Sequence, residues 1–200
     1  VLLTAIFFNY ISFVTLFLVV SIWGLIEFYQ IAEKLGAKPY KWIGIISGLS
    51  LFMYGAISNS YYSHLISPTA ILSVVIVLPF FVFIAALFDT TSNAITNLVF
   101  TLVGIIYAVL PFSLLTHIAC IYQTFAGEIA PYNFHYVVGI ICLIWASDVS
   151  AYLVGSFIGK HKLYERISPG KTWEGTIGAS VLTIACSFLI HQLFPELALK

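Results

Sequence analysis

Charged residues are scarce: only 8% of the 200 residues are Asp, Glu, Lys or Arg, against about 25% in a soluble domain. An ordinary water-soluble fold is excluded. The net charge is zero, so total charge says nothing about acidic or nucleic-acid partners, and only the placement of charge informs. Cysteine is also rare. Cys120, Cys142 and Cys186 stand far apart in apolar runs, with no C-x-x-C and no His at ligand spacing, which points to buried structural thiols and away from a metal site or disulfides. Methionine occurs once, at Met53, and the chain begins at Val1, so the native start is expected upstream. No basic stretch precedes the first apolar run, so these residues give no argument for a cleavable signal peptide. Neither a fixed-period repeat nor an inverted pair of broken apolar segments is present, which speaks against a transporter.

What fills the sequence is apolar. Hydrophobic residues make up 61% and the mean hydropathy is +1.05, the composition of an integral membrane protein. A spanning helix needs about 20 apolar residues, and on that measure six spans are predicted, near 8–31, 41–58, 68–88, 97–118, 134–158 and 175–194. The expected fold is all-α, a polytopic helical bundle forming one transmembrane domain over 1–200. Lys34, Lys38 and Lys41 occupy the first connector, and Lys160, Lys162, Arg166 and Lys171 the fifth. Four spans separate these two basic loops, so they fall on one side. The positive-inside tendency makes that side cytoplasmic, and the third connector falls there too.

Seven of the sixteen charged residues lie between Asp148 and Glu174. This stretch contains Gly170-Lys171-Thr172, the ending of a P-loop. A P-loop needs a glycine five positions before Gly170, on a strand-to-helix turn. Glu165 stands there, after a long apolar run, so the motif is excluded. Asp148 lies within "VVGIICLIWASDVSAYLVGSFIG", where an ionised carboxylate at the bilayer centre costs about 2.5–3.5 kcal/mol or more. It either reaches water from near a helix end, or faces a polar cavity where it holds a metal or orients a cation. Tyr152 is one turn on, and Ser147, Ala151, Gly155 and Gly159 form a stripe of small residues that lets another helix approach closely. In the loop after this span, Ser168 is predicted as N-cap and Pro169 as first residue of the next helix, whose positive end would face the loop cations. Arg166 can grip a phosphate bidentately, with Lys160, Lys162 and Lys171 as point charges. The other reading is that these cations only set topology or attract anionic headgroups. His161 sits among them. Trp173 reads as an interfacial anchor, and Glu27 as an interfacial carboxylate or a functional one. His64, His117, His135 and His191 share no ligand spacing.

The stretch "WASDVSAYLVGSFIGKHKLYERISPGKTWEGTIGAS" resembles the phosphatidate cytidylyltransferases, or CDP-diacylglycerol synthases, in which D-x-x-A-Y leads into G-K-H-K-L and then S-P-K-K-T-x-E-G. "EFYQIAEKLGAKP" and "NLVFTLVGIIYAVLPFS" are similar, in the same order, to earlier segments of that family. Gly170 replaces a family lysine. The resemblance implies transfer of a cytidylyl group from CTP to phosphatidate with Mg²⁺, giving CDP-diacylglycerol and pyrophosphate. It implies catalytic roles for Asp148, Lys171 and Glu174, with Asp148 also toward metal. Substrate binding falls to Tyr152, Lys160, Lys162, Arg166, Ser168 and Thr172, and Tyr152 is expected to orient Asp148. The family's C-terminal signature, which carries its main metal-binding aspartates, is expected beyond Lys200, so this stretch alone is expected to be inactive. The expected location is a bacterial inner membrane with the site facing the cytoplasm. CTP, phosphatidate, membrane lipids and a second copy in a homodimer are the expected partners, and nucleic acid is not. The rivals are another membrane transferase acting on a lipid or polyprenyl phosphate, and a transporter using Asp148 as a relay.

Overall fold

The computed structural model describes residues 2–58, 60–90, 93–120 and 132–193. The predicted loop at Gly127–Pro131 with Glu128, and the end of the chain from Phe194, lie outside them. Helices dominate, and the chain is an all-α polytopic membrane protein. In order they are α1 (Leu2–Phe8), α2 (Tyr10–Lys34), α3 (Lys41–Ile57), α4 (Pro68–Phe88), α5 (Ala94–Ile118), α6 (Phe134–Ile158) and α7 (Trp173–Leu193). A short 3₁₀ turn covers Tyr61–His64. Where the sequence suggests one transmembrane domain, the chain divides into two compact units, Val1–Phe134 and His135–Lys200.

Five of the helices are long and apolar enough to cross a membrane, while α3 has 17 residues, about 25 Å of helix. Apolar side chains in these helices largely point outward: of the 21 residues of α4 only Val82 is buried. That is the expected pattern when the solvent is hydrocarbon and the backbone bonds are all internal. The ends of the helices are specified locally. Asn9 Oδ1 accepts from Ser12 N at 2.8 Å and Ser12 Oγ accepts from Asn9 N at 3.2 Å, a reciprocal capping box that starts α2 two residues later than the apolar run suggests. At the other end Gly36 takes φ +88°, a conformation that favours glycine, and Ala37 N returns to Ala32 O at 3.0 Å, closing the helix. Pro111 explains the wide turn over Ile105–Val109 in α5. Proline has no N–H to give the preceding turn, and Leu110 N reaches back five residues to Ile105 O.

The first unit packs around Phe13, Leu25, Tyr29, Phe52 and Val109, all fully buried. One end of it carries a polar network that composition gives no hint of. Lys38 N donates to Asn97 Oδ1 (2.6 Å), Asn97 Nδ2 to Asp89 Oδ2 (3.0 Å) and the Tyr40 hydroxyl to the same Asp89 oxygen (2.7 Å). Tyr40 N donates to Thr101 Oγ1 (2.8 Å), and the Tyr29 hydroxyl to Thr101 O (3.0 Å). Partial desolvation, and then the Asp89 carboxylate, push the Tyr40 phenol up to about 12, so it remains a donor at every physiological pH. This network places the first and third connectors at the same end of the unit, as the span count requires. The three cysteines are free thiols. Cys120 is buried as expected, whereas Cys142 is exposed and Cys186 half-buried, because the faces of α6 and α7 that carry them are turned outward.

Asn97 is 2% exposed and bonds on both sides of its amide. Asn97→Ala strands the Lys38 N–H and is expected to cost about 1–3 kcal/mol. Asn93, whose side chain makes no capping bond, is the control: thermal unfolding in detergent should shift downward for Asn97→Ala and stay in place for Asn93→Ala.

Candidate functional site

In the second unit α6 and α7 run as an apolar pair joined by fourteen residues, 159–172. The predicted stripe of small residues is what they pack on. A Cβ added to Gly175 would stand 2.8 Å from Ala151 O and 3.0 Å from Gly155 Cα, and one on Gly155 would stand 3.1 Å from Thr172 Oγ1. Backbone therefore meets backbone where the two helices touch, as small residues permit in membranes.

The joining segment is not the loop that the sequence suggests. Lys162–Tyr164 (β1) and Ser168–Thr172 (β2) pair antiparallel, Lys162 opposite Thr172 and Tyr164 opposite Ser168. The turn between them is closed by Ile167 N donating to Tyr164 O at 3.2 Å. The predicted helix start at Ser168 and Pro169 is therefore wrong. A Ser-Pro pair is a strong start signal, but Pro169 is equally suited to a strand with a free edge, where no ladder N–H is required of it. The helix begins at Trp173 instead, and Thr172 caps it: its Oγ1 accepts from Gly175 N at 3.1 Å. Thr172 is 6% exposed, so its hydroxyl is held in the helix joint and is not presented to a ligand.

The four cations are all exposed on this hairpin. Lys162 Nζ donates to Pro169 O at 2.6 Å, bracing the two strands. The side chains of Lys160, Arg166 and Lys171 make no hydrogen bond or ion pair among the described residues, and Ser168 is half-buried. A Cβ at Gly170 would meet nothing within 4 Å, so sterics do not require the glycine that stands where the resembling family has lysine. Glu174, in the first turn of α7, turns back to the base of the hairpin. Its carboxylate accepts from Lys160 N (3.1 Å), from His161 N (3.2 Å) and from His161 Nδ1 (2.6 Å).

Asp148 does not join this group. It lies ten residues before the end of α6, about 15 Å along the axis, exposed and without a hydrogen bond or ion pair among the described residues. Tyr152 is 75% exposed and makes no hydrogen bond to Asp148, which corrects the expectation that it orients the carboxylate. Glu27 accepts from Trp23 Nε1 one turn earlier, at 2.8 Å. Among the described residues no three His, Cys, Asp or Glu side chains gather as a ligand cage.

The structure thus sets a cationic hairpin between two apolar helices, and the comparison with known proteins gives it a family. Residues 1–199 match the cytidylyltransferase family. The chain belongs to that family. Among curated cytidylyltransferases, the phosphatidate cytidylyltransferase of Brucella abortus biovar 1 (strain 9-941) is 36% identical over 63 residues, 32% of this chain and 23% of that protein. Those of Haemophilus influenzae (strain ATCC 51907 / DSM 11121 / KW20 / Rd) and Staphylococcus aureus (strain COL) are each 43% identical. The first match covers 53 residues, 26% of this chain and 18% of the relative. The second covers 56 residues, 28% and 20%. The matched stretches thus span about a fifth of these relatives. No solved structure matches the chain.

The packing makes one requirement explicit. Gly175→Val should force α6 and α7 apart, because the new side chain meets backbone atoms that cannot rotate away, and overpacking of this kind costs about 1–3 kcal/mol. Ile184→Val, on an outward face of the same helix, is the control: a lowered midpoint of thermal unfolding is expected for Gly175→Val alone.

Proposed function

We propose that this cytidylyltransferase-family chain takes part in transferring the cytidylyl group of CTP to phosphatidate. A phosphate oxygen of phosphatidate forms a bond to the α-phosphorus of CTP while the bond from that phosphorus to the bridging oxygen breaks. Pyrophosphate leaves with the electron pair, and CDP-diacylglycerol remains in the membrane. The observation that carries this reading is the hairpin itself. The side chains of Lys160, Arg166 and Lys171 stand exposed and without partners among the described residues, at the foot of two apolar helices, where a soluble nucleotide could meet a lipid headgroup.

In this mechanism the chain binds and orients. Arg166, at the hairpin turn, is suited to two oxygens of one phosphate, and Lys160 and Lys171 to single oxygens. Fixed cations of this kind offset the negative charge of a triphosphate and hold the reacting groups in line. Lys162 braces the strands and keeps two of its three N–H donors for a ligand. The acidic groups divide differently from the sequence-based assignment. Mg²⁺ needs only one or two protein carboxylates when phosphates and water complete its shell. The open carboxylate of Asp148 fits that donor chemistry, whereas Glu174 has both oxygens engaged by Lys160 and His161. When bound, the ion would neutralise phosphate charge and polarise the phosphoryl group. The proposed setting is a bacterial inner membrane with the hairpin on the cytoplasmic side.

Lys171 tests the binding role in the full-length protein. Lys171→Arg keeps the charge on which topology depends but substitutes a planar fork for a compact ammonium. We expect Lys171→Arg to lower kcat/KM for CTP, and Lys171→Ala to lower it further, by about 10- to 150-fold, the worth of one charge-assisted bond. Wild-type kinetics in both variants, at equal membrane insertion, would remove Lys171 from the site. For Asp148, Asp148→Asn lowers the insertion cost, so its amount in the membrane should hold while Mg²⁺-dependent turnover falls by orders of magnitude. Near-normal turnover would make Asp148 a structural residue.

A further inference from the structure

We infer that Glu174 and His161 form a clamp at the neck of the hairpin, and that Glu174 is a positioning residue which sets where the cations stand. It does not itself touch substrate or metal. The inference rests on the cytidylyl-transfer reading above. Two short segments meet at the neck, 160–161 leaving α6 and 173–174 entering α7. Glu174 takes the N–H groups of both Lys160 and His161 and, at 2.6 Å, the His161 ring nitrogen. In the reverse direction Trp173 N donates to His161 O at 2.9 Å. The peptide groups around His161 are thus held from both sides by two consecutive residues of α7, and the strand pair of Lys162 with Thr172 continues directly from this ring. Below it, Thr172 is wedged against Gly155 and Gly159.

The arrangement fixes two of the three open cations. Lys160 precedes the clamp without a break and Lys171 lies three residues before Glu174, so both take their backbone positions from it. Arg166, at the far end of the hairpin, depends on it less. The side chain of Glu174 is 25% exposed and that of His161 78%, so the bond is open to water, yet the two backbone amides remain aimed at the carboxylate whatever the ring does. Both oxygens of Glu174 accept from the neck, whereas Asp148 has no bond among the described residues, which separates the two carboxylates.

The test combines kinetics with a readout that needs no activity. In the full-length protein, Glu174→Gln keeps the size of the side chain but removes its charge and one of the two acceptor oxygens that take the Lys160 and His161 N–H groups and the His161 ring. Its KM for CTP is expected to rise about tenfold, the loss of one charge-assisted bond, with kcat within about twofold of wild type. His161→Ala should raise KM less, since the backbone bonds survive. His161→Asn, which still carries a donor, should restore most of the loss. The double variant Glu174→Gln/His161→Ala should be no worse than Glu174→Gln, because both act through one joint. Trypsin cleavage after Arg166, in detergent and without substrate, should quicken by about tenfold in Glu174→Gln as the open hairpin becomes more populated. A fall in kcat at unchanged KM would show that Glu174 acts on the reacting groups and would overturn the inference, as would wild-type cleavage and wild-type KM together. If the wild type does not use CTP with phosphatidate but Glu174→Gln still opens to trypsin, the clamp stands and the reaction reading falls.

Discussion

Where α6 and α7 touch, the chain has no side chain to spare: Gly155 and Gly175 bring two backbones together, and Thr172 fills the remaining space while capping the second helix. In hydrocarbon there is no hydrophobic force to press helices together, so close packing and local hydrogen bonds have to hold the joint. Once it is made, the direction in which the chain leaves α6 and enters α7 is fixed. The fourteen residues between them then have one short route, which they close as a strand pair. The cations owe their common location to that route, for they occur at the neck, on both strands and at the turn.

The same physics explains what the sequence reveals and what it hides. Long apolar runs have to be helices in a membrane, because only a helix satisfies every backbone group within the segment. The spans at 68–88 and 134–158 are accordingly legible to the residue. The small-residue stripe of α6 is legible as well, since Ala151, Gly155 and Gly159 recur at the period of a helix face. The hairpin is not. It has three and five residues in its strands, too few for an alternating pattern, and its second strand contains the Ser-Pro pair that otherwise announces a helix. Thr172 followed by Glu174 and Gly175 carried the true start signal, but a threonine cap is weaker evidence than serine before proline.

The site shows the same division. The concentration of charge between residues 148 and 174 located the hairpin, and family resemblance supplied a chemistry for it. The roles within it needed geometry. Glu174 and Asp148 are both acidic residues in one short stretch, yet one is consumed by backbone amides and the other stands open in a helix. Sequence spacing cannot separate them, because what distinguishes them is which N–H groups point at each. Asn97 and Asp89 in the first unit were missed for a related reason: their partners are backbone atoms of the connector at Lys38 and a hydroxyl at Tyr40, more than forty residues away along the chain.

The unequal lengths of the helices act on the lipid as well as on the protein. At 17 residues α3 is about 25 Å long, short of the roughly 30 Å of a bilayer core, while a 25-residue helix such as α2 reaches about 37 Å. Such mismatch is relieved by tilting the long helix and drawing the leaflets inward around the short one, at a fraction of a kcal/mol per Å. A bilayer around α3 would have to thin, or one end of the helix would stop short of the interface. In that sense the short helix constrains the shape of the lipid around the first unit.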